Sequence, residues 1–176
     1  LLLNAGSFVF KKSYFVDKQL CFTTGCKLGE DREFIIKALL EAKKVCATNE
    51  VMFRYVLVPD SASTVATMKR FEDVATYFRL AKFIEVHFPD SDLSDLIRQQ
   101  VIPTRIIWAL LYLDTHGFDR EKLVSLVKHP RIRETLRQFA PMCRRDGMKK
   151  RIMIRMLLEA PRTFLQIGRA SCRERV

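Results

Sequence analysis

Beyond Val58 the apolar residues recur every three to four positions, and Pro59, Pro89, Pro103, Pro130 and Pro161 cut that rhythm into short lengths. Such spacing lines one face of a 3.6-residue turn, and proline cannot donate inside a helix, so the pattern predicts helices bounded by prolines. Ser63 or Thr64 caps the first, which runs to about Phe88 with Met68, Phe71, Ala75, Phe78 and Ala81 on its buried stripe. Asp92 caps a short helix to about Gln100, and Pro103 breaks the chain and restarts it in a favoured first-turn position. Ile106 to Leu113 is apolar all round, so this helix, Trp108 included, belongs to the core until Gly117 ends it. Asp119 caps a helix to Lys128; Arg131 to Phe139 and Met148 to Glu159 follow, the last bounded by Pro161.

The first sixty residues read differently. Phe8 to Phe10, Tyr14 to Val16 and Leu20 to Thr23 are short runs of strand-forming residues, and Val51 to Val58 is a longer one, stopped by Pro59-Asp60. Between them Phe34, Ala38, Leu39, Ala42 and Val45-Cys46 fall at helical spacing over Glu30 to Ala47. Glu30, Asp31 and Glu33 stand in the first turn, where the helix dipole favours anions. The expected fold is therefore α+β and mostly α: a small N-terminal α/β unit over 1–60, then a bundle of about six helices over 61–166.

Residues 167–176, Ile167 to Val176, stand apart. The string IGRASCRERV matches, residue for residue, one reading frame of a common short-read sequencing adapter, and is identified as a non-native, adapter-derived tail. Cys172 and the charges of Arg169, Arg173, Glu174 and Arg175 are accordingly excluded from functional argument. With Leu1 rather than Met in first place, the chain is expected to be an internal piece of a longer protein.

Nearly half the residues are apolar, enough for a core, and the longest apolar run, Ile106 to Leu113, is too short to span a bilayer. No membrane association is expected. Cys21, Cys26, Cys46 and Cys143 lack the spacing and histidine partners of a zinc site, so they read as free thiols of a cytoplasmic protein, with no metal and no cofactor. Gly25-Cys26-Lys27-Leu28-Gly29 lacks the Lys-Ser/Thr ending that holds phosphates and magnesium in a phosphate loop. No acid, base and nucleophile stand together in the pattern, which favours a binding role over catalysis.

Charge carries the functional argument. Residues 1–127 hold 17 basic and 16 acidic side chains, whereas residues 128–166 hold 11 basic and 3 acidic. A positive field so concentrated suits a polyanion, because Lys and Arg neutralise phosphates and release their counterions. The contacts expected are Arg131, Arg133, Arg137, Arg144, Arg145, Lys149, Lys150, Arg151 and Arg155, with nucleic acid, DNA or RNA, as the partner. Arg133 and Arg137 lie one turn apart and form a row. The helix, proline, helix arrangement around Pro103 lacks polar side chains for base edges, while the one around Pro130, with Arg131, Arg133, Glu134, Arg137 and Gln138, is chemically the better groove reader. The alternative is a helical protein-interaction module whose basic end meets an acidic partner, or missing parts of the same chain.

Overall fold

The computed structural model describes residues 5–51, 53, 54, 56, 67–141 and 144–173, of which 144–146 and 169–173 are described as backbone only. The chain divides into two units, Leu1–Val65 and Ala66–Val176.

The first unit corrects the expected α/β character. Among the described residues there is no strand: a 3-10 turn at Ala5–Ser7 precedes helix α1, Lys12–Lys18, and helix α2, Glu30–Glu41. Tyr14 to Val16 lies inside α1, and Phe8 to Phe10 and Leu20 to Thr23 are loop. Val51, Phe53, Arg54 and Val56 are loop, the rest of the Val51 to Val58 run lying outside the described residues. The aromatic residues that favoured strands serve another purpose. Phe10 and Phe15 approach to 5.1 Å between ring centroids, Phe15 and Phe34 to 5.3 Å, and Phe22 stacks on Phe34 at 4.3 Å. Burying rings against one another replaces the cross-strand pairs that a sheet would have supplied.

α2 provides the apolar face for that cluster, with Phe34, Ile35 and Ala38 buried. It starts after Gly29, whose φ of 91° suits a residue without a Cβ, and stops at Glu41 rather than Ala47. Glu33 is also buried, and its Oε1 accepts from Lys37 Nζ at 2.6 Å and Thr23 Oγ1 at 3.0 Å. Such partners are what a buried carboxylate requires. Tyr14 donates to the Ala38 carbonyl at 2.6 Å and Lys18 pairs with Glu41 at 2.7 Å, joining α1 to α2.

The second unit is helical: α3, Arg70–His87; α4, Leu93–Leu96; a π-helical turn, Ile97–Val101; α5, Ile102–Thr115; α6, Arg120–Lys128; α7, Pro130–Arg137; α8, Arg144–Glu159; and α9, Pro161–Arg173. The start expected for α3 at Ser63 or Thr64 lies outside the described residues. Its stripe is displaced from the expected one: Val74, Tyr77, Leu80, Ala81 and Ile84 are buried, while Met68 and Phe78 are 44% and 39% exposed. α9 extends beyond the expected set. Pro161 opens it as a first-turn residue instead of ending the fold, and Phe164 and Leu165 bury in the core.

α5 is the centre of this unit, packed against α3, α6, α7 and α9. Ile102, Ile106, Leu110 and Leu113 are wholly buried, and each such side chain contributes about 1.5–3 kcal/mol over its exposed state. Trp108 departs from the core position expected of it. It is 59% exposed, the one exposed residue in the Ile106 to Leu113 run, because α5 is covered on most sides but not all.

Pro103 does not break the helix. The chain passes from α4 through the π-helical turn into α5 without a gap, the longer π repeat absorbing the proline. Proline has no N–H to give the carbonyl four residues back, that of Gln99, and the Ala140 N–H donates to that oxygen instead at 3.1 Å. At its other end α5 closes on Gly117, with φ 81°: Phe118 N–H reaches Leu113 O at 2.9 Å and Gly117 N–H reaches Asp114 O at 3.2 Å. This double closure satisfies carbonyls left over at the helix end. Asp119 then caps α6, its side chain accepting from the Glu121 and Lys122 amides. Buried Asp114 is gripped by Arg120 through Nε at 2.8 Å and Nη2 at 3.1 Å.

Candidate nucleic-acid interface

α7 and α8 are each fixed by one apolar edge and expose a basic one. Leu136 anchors α7, Ile154 and Leu157 anchor α8, and all three are buried. Residues four apart share a face, so burying these positions carries Arg133 and Arg137 on α7, and Arg151 and Arg155 on α8, to the seam between the two helices. The four arginines line one open groove of about 350 Å³ together with Leu136, Phe139, Ile154, Leu158 and Glu159.

Two of the four have internal duties. Arg133 Nη1 donates to the Leu158 carbonyl at 3.0 Å, one of the last-turn oxygens of α8 that no backbone amide satisfies. Arg155 Nε pairs with Glu159 Oε1 at 2.9 Å, both side chains being well exposed. Arg137 and Arg151 are exposed and form no ion pair among the described residues. Carboxylate is scarce here: of the three acidic residues in 128–166, Glu159 lines the groove and Glu134 is exposed on α7, the side chain of Asp146 lying outside the description.

The nine residues expected from the sequence thus separate. Arg133, Arg137, Arg151 and Arg155 converge. Arg131, about 200° around α7 from Arg133, is exposed away from the groove. Lys149 is exposed and Lys150 half-buried on α8, neither lining it, and the side chains of Arg144 and Arg145 lie outside the description. Sequence reasoning passed over the apolar floor and Phe139. The only available signal was Phe139's position two residues beyond the Arg133, Arg137 row. The Arg155, Glu159 pair was legible as an ordinary four-residue ion-pair spacing.

The arrangement also decides how α7 can act. Arg133 is bonded across the seam to α8, so the helix after Pro130 offers exposed Arg137, but not Arg133, as a projecting side chain. α5, the helix after the π-helical turn, is covered on most sides by its neighbours. Among the described residues no helix is long and apolar enough to cross a membrane, and no three His, Cys, Asp or Glu side chains gather as metal ligands. Family models, characterised proteins and solved structures give no match to this chain.

Proposed function

We propose that this chain binds the backbone of nucleic acid through the groove between α7 and α8. The observation that carries this reading is the convergence of Arg133, Arg137, Arg151 and Arg155 from two helices onto one open groove, in the part of the chain with 11 basic and 3 acidic residues. Guanidinium groups bind phosphate in a forked, charge-assisted geometry, and four of them around one groove give sequence-blind, salt-dependent affinity. Free thiols at Cys21, Cys26 and Cys46 favour a reducing compartment such as the cytoplasm for that activity.

The test is a salt titration of binding to random-sequence oligonucleotides, comparing the intact chain with the Arg137→Ala, Arg151→Ala double variant. Each phosphate contact contributes about 0.7–0.9 to the slope of log affinity against log salt, so the double variant loses about 1.5 of slope while its melting temperature holds. Absence of binding even at low salt, or a slope indifferent to both substitutions, rejects the reading. An acidic helical partner is the second reading, favoured by half-buried Leu158 and Phe139 among the groove's lining residues. A groove built for that partner fails to retain nucleic acid at low salt, so one titration separates the two.

A further inference from the structure

We infer that the groove takes a single strand rather than a duplex, with a base stacked on Phe139; this rests on the nucleic-acid reading above. Three observations carry it.

The first is shape. A helix reads duplex by projecting into a major groove about 12 Å wide, a space that a helix about 10–12 Å across fills alone. The Arg133, Arg137 edge of α7 is instead laid against α8, and Arg133 is bonded to the Leu158 carbonyl. α7 cannot carry Arg133 together with Arg137 into a paired helix without breaking that bond to α8. The groove holds about 350 Å³, the scale of a small-ligand cleft, which admits one or two nucleotides but not a paired rod.

The second is chemistry. A site that only neutralises phosphates has no use for accessible apolar surface, yet half-buried Leu158 and Phe139 line the groove with the arginines, over buried Leu136 and Ile154. In duplex the base faces are stacked on one another, whereas in a single strand they are free for aromatic rings and guanidinium planes. Exposed Arg137 and Arg151 then serve the phosphates, and Phe139 with Leu158 serves a base.

The third is support for the ring. Phe139 follows α7 after Gln138, its amide donating to Leu136 O at 3.4 Å, and the next residue, Ala140, donates to Gln99 O at 3.1 Å. Backbone on both sides of Phe139 is therefore fixed, so stacking does not have to order a loose loop.

The experiment measures anisotropy of a labelled thymidine homopolymer and of a hairpin duplex with equal phosphate number, using the full chain, Phe139→Ala and Phe139→Trp. The expected result is a strand bound about tenfold more tightly than duplex, an affinity for strand that falls about tenfold in Phe139→Ala, and recovery in Phe139→Trp, with duplex binding and salt slope unmoved. Strand and duplex bound alike, or both weakened alike by Phe139→Ala while Phe139→Trp fails to recover, overturns the single-strand inference and leaves the nucleic-acid reading standing. Binding to neither overturns both.

Discussion

At the scale of single residues, Glu85 shows how this fold ties α4 and the π-helical turn to α3 by one carboxyl oxygen. Ser94 Oγ donates to Glu85 Oε1 at 2.7 Å and Arg98 Nε donates to the same atom at 2.8 Å, so the turn after α3 is drawn back onto it. The Arg98 hydrogen bond first, then that of Ser94, hold the Glu85 carboxyl below its ordinary range. A carboxyl whose folded value is lowered stabilises the fold above the unfolded value, about 4.3, and loses that contribution as acid titrates it through the lower folded value. Glu85→Gln has no charge to lose. Thermal melts at neutral pH and below pH about 4 should therefore converge, the wild type falling further than the variant. Equal falls in both would assign the acid sensitivity elsewhere.

Among elements, α8 sets the charge of the groove, and its last turn restrains it. Glu159 is the one acid lining the groove, and it occupies Arg155. It also stands at a helix C-terminus, where a negative charge is disfavoured. Glu159→Gln releases Arg155 at little cost, because an exposed pair is worth only about 0–1 kcal/mol. The variant is expected to bind single-stranded oligonucleotide several-fold more tightly at low salt, with the salt slope steeper by about 0.7. Unchanged affinity and slope would place Arg155 outside the binding surface. Elements also differ in how far they could be read from sequence. α6 was legible because Asp119, the apolar positions and Pro130 all act locally. The N-terminal runs misled because Phe8, Phe10 and Phe15 suit a pleated surface equally well as a ring cluster, and the choice is made by neighbours distant in sequence, Phe22 and Phe34. Pro103 was legible as a first-turn residue of α5, but not that a π-helical turn would join α4 to α5 without a break. Trp108 misled because periodicity reports that a helix is central, not which residue remains uncovered. The row of Arg133 and Arg137 was legible; that α8 brings Arg151 and Arg155 to it was not, since no spacing rule relates two helices across a loop.

Across the whole molecule the apolar core is unevenly shared. The second unit buries most of the core side chains, with α5 at its centre, whereas the first relies on Phe34, Ile35 and Ala38 and a set of stacked rings. Protection from amide exchange follows the burial that must be undone to open an element. Amides in α5 and the buried half of α3 should exchange at least about tenfold more slowly than those of α1 and α2. Equally slow exchange in α2 would mean that the ring cluster is a stronger core than its area suggests. Within the second unit, the contact between Gln99 and Ala140 reaches further than its single hydrogen bond implies. The Gln99 oxygen, in the π-helical turn, moors the peptide next to Phe139. The residue that follows the groove's aromatic ring is thus tethered to a different part of the bundle, and the ring's place beside the arginines is inherited from the course of the chain ahead of α5.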